Sequence, residues 1–217
     1  MLKYIVGIII FAVLATGAYY VWDFIMRSAS IEMPQAPGVP TMATSTYATS
    51  TFSLIHPSDF VVNENYAYEG VPNKPIQGVK FTIPGTMATD TNLSSFDTGI
   101  SVEWLPRAQT CTGDIYVLED VKPYEITEGA VEYSVATTSS AGAGNFYEEQ
   151  VYALVSSSPC TAVRYFIHSA NIGNYLPAPG ADGQAGDPGT IREFDRSALL
   201  RAFDAIRRSL VLTAPSI

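Results

Sequence analysis

The chain has 217 residues, of which 47% are hydrophobic and 15% are charged, and its formal net charge is −9 at pH 7. Between positions 44 and 190, five basic residues stand against sixteen acidic ones. A body this acidic argues against nucleic acid and anionic lipid head groups as partners, because both carry negative charge themselves.

Residues 4–22, with the sequence YIVGIIIFAVLATGAYYVW, form an uncharged run of nineteen residues. At a rise of about 1.5 Å per residue, a helix of this length spans roughly 28 Å, close to the ~30 Å hydrocarbon core of a bilayer. The run therefore predicts a single transmembrane helix. Small residues around Gly17 leave a cleaved signal peptide open. The continuation of the run through Tyr20 and Trp22, which suit the bilayer–water interface, favours a retained anchor.

We accordingly expect a membrane anchor or signal segment at 1–27, a linker at 28–50 and one extracytoplasmic α/β domain at 51–217. The linker is rich in Ser and Thr, contains three prolines and shows no apolar periodicity. The expected location is the bacterial inner membrane, crossed once, with the bulk of the chain in the periplasm or extracellular space. Basic residues flank the span evenly, so this orientation depends mainly on the cysteines, which suit an oxidising compartment.

Cys111 and Cys160 are the only two cysteines of the chain. In an exported domain they are expected to form one disulfide, which closes a loop of about fifty residues and contributes about 3–4 kcal/mol to stability. Two reduced, buried thiols are the alternative. The chain has no C-x-x-C motif and two histidines, too few partners for a two-cysteine metal site, so no metal or cofactor is predicted.

Alternating apolar residues predict several strands in the first half of the domain. Residues 51–62 indicate two short strands around a tight turn at 56–59. Residues 78–84 and 99–105 each place apolar side chains on one face and polar ones on the other, as half-buried strands do. The Ser-, Thr- and Asn-rich residues 85–98 between them read as a long loop. Residues 111–118 are ambiguous between a short helix and a strand.

The second half predicts an antiparallel meander followed by a helix. Residues 130–137, 145–155 and 160–169 are three consecutive strand candidates, and the glycines in 140–144 allow a tight first turn. Residues 192–210 predict a helix with an apolar stripe formed by Leu199, Phe203, Ile206 and Leu210. We expect its arginines to face solvent. The fold class that follows is α+β: a twisted antiparallel sheet with this amphipathic helix packed on one face, preceded by the transmembrane helix.

Five stretches carry a resemblance to a known family: GVKFTIP, TNLSSFDTGISVE, AGAGNFYEE, CTAVRYFIHS and FDRSALLRAFDAIRRSLVL. They resemble an uncharacterised family of bacterial exported domains over about residues 51–212. The opening FSLIHPSDF and the closing helix are also similar, more weakly, to the PsbP-like α/β/α sandwich. The resemblance implies a fold and a location outside the cytoplasm, and it implies no activity. The long loop at 176–190 is expected to be an insertion relative to that pattern.

Candidate catalytic residues are few. His56 precedes a proline in a turn, where a solvent-facing imidazole is expected, and His168 ends a strand. Glu148 and Glu149 are adjacent in a strand, so they point to opposite faces and cannot form a glycosidase pair. One of them is expected to face the core side and to need a partner, for which Arg164 on the neighbouring strand is the candidate. We predict no catalytic residue.

Aromatic side chains offer a binding surface instead. Tyrosines are abundant in the predicted meander, namely Tyr133, Tyr147, Tyr152 and Tyr165. On an exposed sheet face they could bind a glycan or a protein, whereas cross-strand packing is the alternative. The expected function is a membrane-tethered, non-catalytic binding or accessory domain for a protein or envelope component. The alternatives are an envelope hydrolase with a site near His168 and Glu148 or Glu149, and a structural subunit of a surface assembly.

Overall fold

The computed structural model describes residues 43–175 and 191–213. Its strands are β1 Thr44–Ala48, β2 Phe52–Pro57, β3 Val61–Tyr68, β4 Ile76–Thr82, β5 Gly99–Leu105, β6 Tyr124–Glu128, β7 Val131–Gly142, β8 Asn145–Leu154, β9 Cys160–Ala170 and β10 Val211–Leu212. The α-helices are α1 Gly85–Ala88 and α2 Arg196–Arg208, and 3₁₀ helices lie at Gly113–Tyr116 and Ile172–Tyr175. The predicted anchor at 4–22 and the loop at 176–190 lie outside the described residues.

Two antiparallel sheets make up most of this structure. The larger has seven strands in the order β3-β4-β5-β9-β8-β7-β6, and the smaller has three in the order β1-β2-β10. With the C-terminal helix α2, this architecture confirms the α+β class. Within the described ranges, no helix is long and apolar enough to cross a membrane.

The predicted meander is confirmed. β7 pairs with β8 and β8 with β9, each antiparallel and in continuous register. The first turn is tighter than the glycine-rich stretch suggested, because β7 runs on to Gly142 and leaves two residues at the turn. Ala143 and Gly144 adopt φ values of 51° and 78°. Positive φ at both central residues is the geometry whose twist matches that of the flanking strands.

The two strands expected from residues 51–62 exist, but they do not pair with each other. β2 pairs with β1 and β10 in the small sheet, whereas β3 pairs with β4 in the large one. The tight turn between them therefore carries the chain from one sheet to the other. Local alternation predicts a strand but does not name its partner, which is why the sequence suggested a hairpin.

Part of the predicted linker is folded as well. Strand β1, TSTYA, lies inside residues 28–50 and pairs over its whole length with β2. Its side chains are exposed or half-buried, so its sequence shows no apolar alternation. Backbone hydrogen bonds to β2 and the packing of Tyr47 against Phe52 and Phe81 account for this strand, and one aromatic side chain leaves no periodic signal.

The predicted loop at 85–98 and the ambiguous stretch at 111–118 also contain regular structure. The predicted loop at 85–98 contains the short helix α1 and two isolated bridges, from Thr91 to Arg192 and from Leu93 to Ser169. Of the two alternatives for 111–118, the short helix is the one found, as a 3₁₀ helix over Gly113–Tyr116. The disulfide between Cys111 and Cys160 is present, with 5.1 Å between the Cα atoms. It ties this segment to the start of β9.

Helix α2 packs on one face of the large sheet, as its apolar stripe predicted. Leu199, Phe203 and Ile206 are buried in a core with side chains from β4, β5 and β9. The Phe203 ring lies 5.3 Å from that of Tyr165. The helix begins at Arg196 rather than 192 because Asp195 caps it, its side chain accepting a 2.8 Å hydrogen bond from the Ala198 amide.

Arg207 is buried, contrary to the expectation that the arginines of this helix face solvent. Its side chain is buried, with the guanidinium 4.8 Å from the ring centre of Tyr133 and 4.2 Å from that of Tyr152. It donates hydrogen bonds to the Tyr165 hydroxyl at 2.8 Å and to Glu128 at 3.0 Å. An arginine at this helical position reaches carboxylates at the sheet's edge, so it can be buried without losing its charge partners.

Substitution of Phe203 by Ala tests the docking of the helix. The ring is fully buried, so its removal is expected to lower the free energy of unfolding by about 3–5 kcal/mol, through lost burial and the cavity left behind. Urea denaturation measures the change. The control is Arg201→Ala on the exposed side of α2, where the change should stay within about 0.5 kcal/mol. A loss below about 1 kcal/mol for Phe203→Ala would contradict the packing.

Acid should weaken the edge contact between β6 and α2. Hydrogen bonds from Arg208 and Arg207 lower the pKa of Glu128 from 4.5 to about 2. A carboxyl whose folded pKa is lowered contributes stability above its ordinary pKa and loses that contribution as the pH falls toward the folded value. The unfolding free energy should therefore fall between about pH 4.5 and 2, and fall less in Glu128→Gln. Glu125→Gln, an exposed change on the same strand, should follow wild type; identical curves for all three proteins would contradict this assignment.

Candidate ligand-binding face

The two faces of the large sheet are covered by different elements and to different extents. One face is covered by α2 and the small sheet. The other is covered at one end by the segment that holds Cys111 and Tyr116. The rest of this second face carries half-exposed aromatic and charged side chains. We call it the open face and define it by Tyr66, Lys80, Tyr147, Glu149, Phe166 and His168.

Strand register brings these residues together from distant parts of the chain. Phe166 lies directly opposite Glu149 and His168 opposite Tyr147, and residues opposite each other in a ladder share a face. Lys80 is opposite Ser101, which is in turn opposite Arg164. Lys80 and Phe166, which are 86 positions apart in the chain, thus become neighbouring side chains.

A buried ion cluster lies beneath the open face and is centred on Arg164. The Arg164 guanidinium and the Glu103 carboxylate are both fully buried, and two N–H groups donate to two carboxylate oxygens at 2.9 Å each. Arg164 also pairs with Glu149 and donates a 2.7 Å hydrogen bond to the Tyr116 carbonyl. The guanidinium carbon lies 3.5 Å from the centre of the Tyr68 ring. The buried cation is therefore fully engaged.

The same cluster holds Glu149 in place at the surface. The Tyr68 hydroxyl lies 2.8 and 2.9 Å from the two Glu149 oxygens and donates to this carboxylate. Burial opposes the charge of Arg164, but Glu103 and Glu149 outweigh it and raise the pKa of Arg164 above its ordinary value. Burial raises the pKa of Tyr68 above its ordinary value. Arg164 therefore stays charged and Tyr68 neutral across the physiological range.

The prediction that Arg164 pairs with one of the two glutamates is confirmed for Glu149, and a further partner of Arg164, Glu103, was missed. Glu148 and Glu149 do point to opposite faces, and Arg164 is the partner of Glu149. Glu148 pairs instead with Arg196 of the helix, at 2.6 Å on the exposed opposite side. Glu103 escaped sequence reasoning because it occupied the polar side of an alternating strand, which pointed to solvent. The register that places it opposite Ala162 and beside Arg164 appears only in the folded sheet.

His168 lies at the edge of the open face against Asp97. Its Nδ1 atom is 2.7 Å from an Asp97 oxygen, and its ring stacks on Tyr147 with 4.5 Å between centres. The Nε2 atom is buried and has no hydrogen-bond partner among the described residues. Asp97 belongs to the segment expected as a loop, where nothing in the sequence marked it. A histidine held in this way could act as a base only toward a group that reaches Nε2.

His56 is placed differently from its prediction. The side chain is buried rather than facing solvent, and its ring packs 4.9 Å from that of Phe81. Its Nδ1 atom lies 2.7 Å from the carbonyl oxygen of Pro57. The turn carries His56 inward because β2 belongs to the sheet that covers the core. His56 is a core residue and does not belong to the open face.

Lys80 is the cation at the middle of the open face. Its Nζ atom lies 5.3 Å from the ring centre of Tyr66 and 5.2 Å from that of Phe166. Across residues 43–175 and 191–213, no carboxylate lies within ion-pair distance of it. Burial lowers the pKa of Lys80, against an opposing effect of Asp97. The ammonium is thus framed by rings and retains hydrogen-bonding capacity.

Of the tyrosines singled out in the meander, Tyr147 alone belongs to the open face. Tyr133, Tyr152 and Tyr165 lie on the helix side, where Tyr152 contacts the other two rings at 6.1 and 5.0 Å. Cross-strand packing is therefore the role of these three. The aromatic side chains that join Tyr147, namely Tyr66 and Phe166, carried no signal beyond their strands.

A loop at the rim of the open face holds an exposed phenylalanine. Phe96 is 91% exposed and precedes Asp97. The loop around it is anchored by Ser94, whose amide donates to the His168 carbonyl at 2.8 Å, and by Thr98, whose hydroxyl bonds the His168 backbone. Phe96 thus projects from a well-fixed segment rather than from a loose one.

The described part of the chain contains no group of three or more His, Cys, Asp or Glu side chains that could hold a metal ion.

Comparisons with known protein families, curated proteins and solved structures found no match for this chain. The resemblance to a family of exported domains therefore stays a prediction, and function has to be argued from the site.

Replacing Arg164 by Leu tests the ion cluster. The change leaves the Glu103 carboxylate buried without its cation, and the expected loss of unfolding free energy is about 3–5 kcal/mol. Arg196→Leu is the matched control, because it breaks an exposed pair worth about 0–1 kcal/mol. Guanidinium denaturation of both variants measures the difference. Equal, small losses would show that Glu103 is not confined as described.

Proposed function

We propose that this chain is a membrane-tethered, extracytoplasmic binding domain that takes its ligand on the open face and does not transform it. The observation that carries the proposal is the row of half-exposed rings, Tyr66, Phe166 and Tyr147, set around Lys80 on one sheet face. Half-exposed aromatic side chains with polar neighbours are typical of binding surfaces, because they offer contact area at small entropic cost.

The floor beneath this row supports a binding role. Arg164, Glu103, Glu149 and Tyr68 satisfy one another, and His168 is held by Asp97. Side chains fixed in this way do not have to be ordered when a ligand arrives, so less of the interaction energy is lost. The anchored, exposed Phe96 at the rim adds an apolar contact of the kind that partners bury.

The proposed location rests on two separate features. The uncharged run at 4–22 is long enough to serve as an anchor, and the buried disulfide suits an oxidising compartment outside the cytoplasm. We propose the bacterial inner membrane, crossed once, with the folded domain on the outer side.

One observation favours an envelope hydrolase as a second candidate. The contact between Asp97 and His168 is the arrangement that orients a histidine as a general base. The carboxylates expected to assist it are otherwise engaged, since Glu148 lies on the opposite face and Glu149 is held by Arg164 and Tyr68. We therefore rank binding first.

Removing rings from the open face should abolish ligand capture. Full-length protein, extracted from its native membrane with crosslinking, is compared with the variants Phe166→Ala and Tyr147→Ala by mass spectrometry of what remains bound. We expect components that wild type retains to be lost from both variants. Phe146→Ala is the matched control, because this exposed ring neighbours Tyr147 on β8 but points to the opposite face.

Retention of the same components by all four proteins would exclude the open face as the binding site. Conversion of a retained component that stops in His168→Gln would establish the hydrolase instead. Thermal unfolding of each variant, matched to wild type, separates loss of binding from loss of fold.

A further inference from the structure

The charges on the open face nearly cancel. Among the described residues, the surface of the open face carries the cation Lys80 and the carboxylate Glu149, and Asp97 lies against His168 at its edge. The fully buried Arg164 and Glu103 pair with each other beneath the face. No sign of charge dominates, so the face lacks the field that would select a strongly anionic or cationic ligand. Its complement is a polar ligand without net charge.

Lys80 also argues against a protein as the principal ligand. The buried centres of protein–protein interfaces are depleted of lysine and acidic residues. Here an ammonium stands at the centre of the aromatic row, with N–H groups that a ligand must satisfy. Hydroxyl groups do so without an opposing charge, and they also donate to carboxylate oxygens such as those of Asp97 and Glu149.

The shape of the row indicates a chain rather than a single small molecule. Tyr66 lies on β3 and Tyr147 on β8, which are four strand positions apart in the sheet order. The Tyr66 and Phe166 ring centres lie 5.3 and 5.2 Å from Lys80 Nζ, and the Phe166 and Tyr147 ring centres lie 6.2 Å apart, so the row is at most about 17 Å long. Rings spaced along such a line can each stack on the apolar face of one sugar unit, while the intervening polar groups bond to its hydroxyls.

We infer that the open face binds an uncharged glycan chain laid across strands β3 to β8. The inference rests on the proposed function, since it names the ligand of that same face. Lys80 and Glu149 bond the hydroxyls, and Phe166 and Tyr147 provide the stacking surfaces. Binding of this kind depends on several sugar units at once, because the contacts are spread along the row of rings and are not gathered around a single unit.

Calorimetric titration of the full-length chain tests the inference. The protein is kept in a detergent without sugar head groups, and the probes are uncharged hexasaccharides of glucose, mannose and N-acetylglucosamine, the matching monosaccharides and a hexamer of galacturonic acid. We expect at least one uncharged hexamer to bind at least tenfold more tightly than its monomer and than the acidic hexamer. Phe166→Ala and Lys80→Met should each weaken that binding at least tenfold, and Phe146→Ala should leave it unchanged.

Failure of every uncharged hexamer to bind would overturn the inference, as would preference for the acidic hexamer or indifference to Phe166→Ala. The proposed function fails separately. If no hexamer binds but membrane components are still lost from Phe166→Ala in the capture experiment, the open face is a binding site for another ligand. If neither experiment responds to the variant, both the glycan and the binding role of the face fall.

Discussion

The Arg164 guanidinium joins the covered part of the second sheet face to the open part, and most of the surroundings are arranged to keep it charged. It lies on β9, at the middle of the seven strands, and reaches Glu103 on β5, Glu149 on β8 and the carbonyl of Tyr116 in the 3₁₀ segment. A cation without water is costly unless its donors are satisfied, so each of these contacts constrains the position of its element. The floor of the open face is rigid for this reason.

A second buried arginine serves the other face. Arg207 of α2 stacks on Tyr133 and Tyr152, bonds the Tyr165 hydroxyl and meets Glu128 at the edge of the sheet. Both arginines combine tyrosine rings with carboxylates, which suit the apolar faces and the charged edge of a guanidinium, although the buried Nη1 atom of Arg207 has no hydrogen-bond partner among the described residues. Each face of the sheet thus has one buried arginine with the same kind of contacts. Arg207 fixes the helix on one face, and Arg164 supports the proposed binding site on the other.

The candidate site was only partly predictable. That one of Glu148 and Glu149 would pair with Arg164 followed from side-chain alternation within neighbouring strands of a meander, whose order in the chain is also their order in the sheet. Which of the two pairs with it did not follow. Glu103, Lys80 and Asp97 were out of reach, because β5 and its neighbours join β9 through a crossover that no local pattern describes. His56 went wrong for a related reason: its turn looked solvent-facing, but it belongs to a strand that covers the core.

The sequence by itself determined which segments become strands in the meander, where the amphipathic helix packs its stripe, and that the two cysteines pair. The strands and the helix depend on periodicity and turn chemistry, which are local. The disulfide was predictable despite a separation of 49 residues because the chain has only two cysteines. Tertiary structure decided which strands are neighbours, that β2 leaves β3 for a separate sheet, and which polar side chains are buried. A strand's alternation defines its two faces but does not say what covers each of them, so the charge-paired floor and the aromatic row above it exist only once seven strands are placed side by side.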